Sequence, residues 1–443
     1  MRKNKLLALG LAALMAASVA GCSTPSASVD DTKAAESGSD SSQSAAAGEK
    51  IFRYSNTADI ATIDPDKTNS VADATVSYHI YDGLYRNVQG ELQPATAESY
   101  EVSDDGLVYT FKLRQDTKWS DGQTVTAKDY EYGMKRLCDP AAACPASYLG
   151  AVLKNGAKVS EGELPVDELG VKALDDFTLE ITLENPADYF VSMTSMSAFM
   201  PVREDLVEKY GNEFGGSADK QVYNGPFVVS EYSNGKVELT KNPDYYDNEK
   251  ISLDGVEILT VADQTTAVSM FDAGELDLAE VPTELAAQYE GKTQSYYNGA
   301  DDYAALNHRN KYLANKNLRL AMNYAVNREE YILLTHNGLY QANQRYVLPQ
   351  VRGVDGEYGT EYPLEAFPLQ GDMDKAKEYL DTALSELGLS SASDISLKLV
   401  VSDSDSEERG RGCCKPVEEQ PGYQRRYQHG SVRNEKRTPG SGQ

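Results

Sequence analysis

Gly106-Leu107-Val108-Tyr109-Thr110-Phe111-Lys112-Leu113, followed by Lys118-Trp119-Ser120-Asp121-Gly122 and Thr126-Ala127-Lys128-Asp129, is the stretch on which the fold turns. Leu107, Tyr109, Phe111 and Leu113 alternate with more polar side chains, so they share one face of a strand. Trp119 to Gly122 reads as a turn, and Thr126 precedes Asp129 by the capping-box spacing that opens a helix ending near Leu137. A strand passed through defined turn chemistry into a helix points to a mixed α/β chain, neither all-β nor a repeat array.

The same signals recur on both sides. Towards the N-terminus, a strand at 51–55 and the loop Ile63-Asp64-Pro65-Asp66 lead into a helix expected over 74–85. Towards the C-terminus, 171–183 reads as a hairpin turning at Asp175-Asp176 and ended by Asn185-Pro186. Strands are expected at 227–230 and 236–241, and helices at 264–273, 318–327 and 375–387. From Ile51 onward the chain is too long for one core and suits two or three lobes.

The N-terminus is of a different kind. Arg2, Lys3 and Lys5 precede a weakly polar run over 6–19 and then Ala20-Gly21-Cys22, which reads as a secretory signal over 1–21. That run is shorter than the roughly 20 residues a spanning helix needs. Val19-Ala20-Gly21-Cys22 resembles the lipobox of bacterial lipoproteins, which implies a diacylglycerol on the Cys22 thiol and an extracytoplasmic, membrane-anchored chain. Residues 22–49 are Ser, Ala, Asp, Gly and Lys with almost no large apolar side chain, so a disordered tether is expected.

A formal charge of −27 excludes a nucleic-acid groove as the main business, since phosphate needs a basic field. His79, His308 and His336 lack metal-ligand spacing, and no nucleophile motif, phosphate loop or acid/base pair stands out, so neither cofactor, metal nor catalysis is expected. Trp119, the sole Trp, sits beside a turn and reads as a packing residue before a ligand-stacking one. Cys138 and Cys144, six apart, are open between a local disulfide and two free thiols.

Several segments together resemble the extracellular solute-binding proteins of peptide-importing ABC transporters, the oligopeptide and dipeptide family. They are the stretch from Ala97-Glu98-Ser99-Tyr100 through Thr126-Ala127-Lys128-Asp129, Tyr223-Asn224-Gly225-Pro226-Phe227, Lys241-Asn242-Pro243-Asp244-Tyr245-Tyr246, Ala273-Gly274-Glu275-Leu276-Asp277, and Arg319-Leu320-Ala321-Met322-Asn323-Tyr324-Ala325-Val326-Asn327-Arg328. The resemblance covers roughly 50–405 and implies an α/β, two-lobed, three-domain periplasmic-binding-protein-like fold with mixed sheets, incomplete at the C-terminus. It implies lobe I at 50–90 and 215–295, lobe II at 91–214 and a partial lobe III at 296–405. It also implies a monomeric binding protein that closes on a peptide ligand and is read by an ABC transporter permease. By position, Asn69, Ser70, Val71, Tyr148, Glu280, Val281, Tyr303, Ala304 and Ala305 correspond to places where this family lines its cleft. Oligosaccharides, metal chelates and, in another class, glycoside hydrolysis stay open as alternatives.

After Asp405 the character changes. Residues 406–443 hold eight Lys/Arg against five Glu, so the tail carries +3 and the chain before it −30. Read one base out of register, 421–432 permits Leu-Gly-Ile-Asn-Val-Asp-Ile-Asn-Thr-Val-Pro-Tyr, an alternating strand, with Tyr423 and Tyr427 able to yield only Ile or Thr. An aberrant, frameshifted tail on a truncated receptor is therefore expected, decided by sequencing the DNA.

Overall fold

A computed structural model describes residues 49–296, 299–364 and 367–400; the signal, Cys22 and the tail from 406 lie outside them. The strands are β1 (Ile51–Asn56), β2 (Tyr85–Val88), β3 (Glu91–Pro94), β4 (Ala97–Val102), β5 (Val108–Leu113), β6 (Val171–Asp175), β7 (Thr178–Thr182), β8 (Phe227–Ser233), β9 (Lys236–Lys241) and β10 (Gly255–Thr260). The helices are α1 (Val71–Ile80), α2 (Ala127–Cys138), α3 (Gly156–Ser160), α4 (Phe190–Met193), α5 (Glu204–Tyr210), α6 (Gln264–Asp272), α7 (Lys316–Ala325), α8 (Arg328–His336), α9 (Tyr358–Glu361) and α10 (Met373–Leu387).

One sheet runs β1-β10-β9-β8, with β1 parallel to β10 from Ile51 opposite Gly255 and the other pairs antiparallel. A second, antiparallel sheet runs β4-β5-β7-β6, and β2 and β3 form a separate hairpin. The alternation in β5 does what it promised: Tyr109, Phe111 and Leu113 are buried, with Tyr109 opposite Ile181 and Phe111 opposite Leu179. Phe190 meets the Tyr109 ring edge-on at 5.1 Å. Helix α2 packs on β6 and β7 through a face that includes Tyr130, Met134 and Leu137, and Trp119 is buried as a packing residue. Its capping box is formed, with Asp129 Oδ2 accepting from Thr126 N at 2.7 Å.

Helix α1 begins three residues before the expected start and ends earlier. Ser70 Oγ accepts from Asp73 N at 3.1 Å and so supplies the N-cap, a signal the periodicity reading passed over. Its end is fixed from outside. Gly225 N donates to Ile80 O at 2.9 Å, while Asn224 Oδ1 accepts from Asp82 N at 3.1 Å and Asn224 Nδ2 donates to Asp82 O at 2.9 Å. Asn242 Nδ2 in turn donates to Gly225 O at 2.8 Å. Two of the quoted motifs are thus halves of one lock on the end of α1.

Helices α7 and α10 pack on each other around a smaller core of Leu313, Leu318 and Ala383. Leu333, Leu334, Leu339 and Tyr340, on α8 and just after it, stay exposed.

A Cβ on Gly225 would stand 2.5 Å from both the Ile80 carbonyl carbon and Tyr81 N. Gly225→Ala is expected to cost about 2–3 kcal/mol by overpacking, read by urea unfolding with the fluorescence of buried Trp119. An unchanged midpoint and slope would remove the lock.

Candidate ligand-binding site

The first wall of the candidate site is set by a buried charge cluster. Arg136 lies on the covered side of α2, where Nη1 donates to Asp64 Oδ1 and Asp66 Oδ2, each at 2.8 Å, and Nη2 to Asp64 Oδ2 at 2.6 Å. The Phe214 ring lies 5.4 Å from the guanidinium carbon, and Gly215 uses a φ of +74° to let its backbone pass against Asp64. Burial pushes the Asp66 carboxyl up to about 7, against the downward pull of Arg136, and Asp66 Oδ1 is buried without a partner. The loop is pinned twice more: Lys67 Nζ donates to Ala142 O, and Thr68 Oγ1 lies 3.0 Å from Ser197 Oγ. Residue 69 therefore leaves a rigid support.

The sequence-derived site residues divide by how they are held. Asn69 is exposed and Val71, the first residue of α1, is 85% exposed, but Ser70 is committed to the cap. Tyr148, 72% exposed, belongs to the loop that Ala142 ties to Lys67, so it shares the support of Asn69. Glu280 and Val281 follow a strap along β1: Asp277 N donates to Arg53 O at 2.7 Å, and the Asp277 carboxylate takes Arg53 N and its guanidinium at 2.8 to 3.1 Å. The Glu280 carboxylate accepts from Tyr296 Oη at 2.9 Å and Gln264 Nε2 at 3.0 Å. Asn337 Nδ2 links α8 to this segment through Thr283 O at 3.3 Å. Tyr303, Ala304 and Ala305 are exposed, with the Tyr303 ring edge-on to Tyr346 at 5.2 Å. The three groups are held by separate contacts, not by one hydrogen-bond network.

Two clusters escaped the sequence reading. Besides Arg136 and its aspartates, buried Asp82 accepts from Tyr245 Oη at 2.6 Å and Tyr246 Oη at 2.9 Å, with Arg86 beside it. Burial raises the Asp82 carboxyl against these donors. The aspartates and tyrosines lie in quoted motifs, but nothing local says that Arg136 or Asp82 faces inward.

In the structure Cys138 and Cys144 are buried free thiols. Cys138 Sγ packs on Gly150, while Cys144 Sγ faces Arg136 O at 3.5 Å, so each occupies its own niche. Burial pushes them up to about 11 and about 12, which keeps them protonated and inert at neutral pH. Among the described residues, no group of three His, Cys, Asp or Glu is placed to hold a metal, and no helix is long and apolar enough to cross a membrane.

The model of the bacterial extracellular solute-binding proteins, family 5, middle part, matches residues 91–419. The chain belongs to this family. The match to family 5 runs past the change of composition at 406. Among family relatives, the probable deoxycholate-binding periplasmic protein YgiS of Escherichia coli is 38% identical over 242 residues, 54% of this chain and 45% of its own. The dipeptide-binding protein DppE of Bacillus subtilis is 32% identical over 392 residues, 87% of this chain and 70% of its own. The chain thus spans less than half of the first relative and about 70% of the second. The Escherichia coli murein tripeptide binding protein MppA superposes with a TM-score of 0.71 at 26% identity, covering 84% of this chain and 73% of its own. The fold is accordingly the two-lobed α/β fold of the periplasmic peptide-binding proteins, and these relatives are binding proteins, not enzymes.

Arg136→Met leaves two buried carboxylates without their countercharge, and a loss of about 3–5 kcal/mol is expected in urea unfolding at pH 7.5. A loss under 1 kcal/mol at that pH would contradict the cluster's role. For Asp66 the folded value of about 7 lies above the ordinary 3.8, so the folded state holds the proton more tightly. Its contribution is full below about pH 4 and is lost as pH rises through 7. Asp66→Asn is expected to remove that decline from the stability profile measured between pH 4 and 8; a superimposable profile refutes the assignment.

Proposed function

We propose that this chain is the lipid-anchored substrate-binding component of an ABC importer, capturing oligopeptides outside the cytoplasm and delivering them to the membrane permease. The observation that carries the reading is the family match over 91–419, joined by a dipeptide-binding relative that aligns with 87% of the chain. In this reading the first-sheet unit and the second-sheet unit are lobes I and II, and α7 and α10 belong to the start of lobe III. Asn69, Val71 and Tyr148 offer one wall to the ligand, and Glu280, Val281, Tyr303, Ala304 and Ala305 the other.

The chemistry is that of a binder with broad tolerance. Backbone amides are common to all peptides, so main-chain hydrogen bonds supply affinity while side chains need only room. Glu280 at the exposed strap suits a ligand's cationic amine, since its partners Tyr296 and Gln264 are neutral donors. Cys22 carries the anchor and 22–49 the leash, which keeps a monomeric receptor near its permease.

Thermal unfolding of the full chain with di- to pentapeptide pools tests this. Saturating peptide is expected to raise Tm by about 5 °C at a hundredfold excess over Kd. The name of the first relative makes deoxycholate the comparison ligand, with cello- and xylo-oligosaccharides beside it. A shift with deoxycholate or a sugar alone would falsify the peptide reading, and so would turnover of any of them. The anchor has its own check: Cys22→Ala is expected to move the chain from the membrane fraction to the soluble one, and retention in the membrane fraction ends the lipid assignment.

A further inference from the structure

Where Asn precedes Gly, a side-chain amide sits beside a backbone nitrogen that no following side chain shields. The sequence places this pair at Asn155, Asn224, Asn234, Asn298 and Asn337, and Asn298 lies outside the described residues. At three of the other sites both the side-chain amide and the glycine nitrogen are held. Asn155 Nδ2 donates to Glu168 O at 2.8 Å, and Gly156 N to Leu153 O at 2.9 Å. Asn224 is buried, with Nδ2 donating to Asp82 O and Gly225 N to Ile80 O, each at 2.9 Å. Asn337 Nδ2 donates to Thr283 O at 3.3 Å, and Gly338 N to Ile332 O at 3.2 Å.

Asn234-Gly235 differs from all three. It is the connection between β8 and β9, closed by Ser233 opposite Lys236, and Asn234 is exposed at its tip. Gly235 takes a φ of +82°, and a Cβ on it would meet nothing within 4 Å, so the space beside it is open. Its carbonyl accepts from Thr260 N at 2.8 Å, which ties the turn to the end of β10 through oxygen alone. Among the described residues, neither the Asn234 side chain nor Gly235 N makes a hydrogen bond. Lys236, the next residue, already stands among the carboxylates of Glu231, Glu238 and Glu257.

We propose that Asn234 is a self-modification site, where the folded chain deamidates ahead of its other described Asn-Gly pairs. Gly235 N loses its proton and bonds to Asn234 Cγ; the Cγ–Nδ2 bond breaks, and ammonia leaves with that proton as a succinimide ring closes. Water then opens the ring at either carbonyl. Opening at Cγ leaves an aspartate at this position, and opening at the backbone carbonyl leaves an isoaspartate, whose chain runs through Cβ. Both products add a negative charge beside Lys236 and its three carboxylates. The isoaspartate also lengthens the path from Ser233 to the Gly235 carbonyl that holds Thr260. None of this depends on which ligand the chain binds.

The test is incubation of the full chain, folded and in urea, in mildly alkaline buffer, followed by peptide mapping with mass spectrometry. In the folded chain Asn234 is expected to convert at least about fivefold faster than Asn155, Asn224 or Asn337, because each of those must first break its hydrogen bonds. In urea the four are expected to react within about twofold of one another, which assigns the difference to the fold and not to the flanking residues. The modified fragment gains the mass of water less that of ammonia, and isoaspartyl methyltransferase labels the part whose chain runs through Cβ. Mildly acidic buffer is expected to slow the conversion, since the attacking nitrogen must lose its proton. Asn234→Gln, whose amide stands one methylene further out, is expected to remove the modified fragment and the matching acidic species on ion exchange, with the melting transition kept because the side chain is exposed. Another described pair converting as fast as Asn234 in the folded chain overturns the proposal. So does a lead that persists unchanged in urea, or a folded chain still intact at Asn234 when the urea sample has converted.

Discussion

A guanidinium taken out of water costs several kcal/mol unless its donors are met, and Arg136 meets that demand with two aspartates from a single Asp-Pro-Asp loop. Much of the arrangement around the candidate cleft depends on this one compensation. It draws residues 64–66 onto α2, calls for Gly215 where the backbone crosses Asp64, and places Phe214 over the cation. The chain leaving the loop then enters α1 at Ser70 with its direction already decided. The two sheets are joined not by apolar packing alone but by a bidentate pair with strict geometry.

The same logic recurs at the other end of α1. Asn224, Gly225 and Asn242 hydrogen-bond the backbone where the helix stops, and Asp82 receives two tyrosine hydroxyls. Buried polar groups here are met by short-range partners from distant segments, which gives the helix one position rather than several. A helix fixed at both ends presents Asn69 and Val71 as a firm surface. Glu280 and Val281 follow a strap beside β1, and Tyr303, Ala304 and Ala305 are exposed, so fewer buried contacts resist motion there.

Kinship and span bear on how far the binding reading reaches. The family match covers most of the described chain, whereas the chain covers 45% of YgiS and 70% of DppE. The apolar side chains exposed on and after α8 are of the kind that a further layer of chain, or a closed lobe, would cover.

What could be read from the sequence alone was what depends on neighbours a few residues away. The alternation of β5, the capping box of α2, the hairpin at Asp175 and the amphipathic α10 are local, because strand faces repeat every second residue and helix faces every three to four. The motif order led from there to the family. The tertiary structure decided the rest: β1 pairs parallel with β10, and Arg136 points inward while Tyr148 is exposed. The pairing of β1 with β10 and the Arg136 cluster rest on partners far along the chain, and the free energy of a buried charge or an exposed ring depends on what surrounds it, which no local pattern of residues encodes.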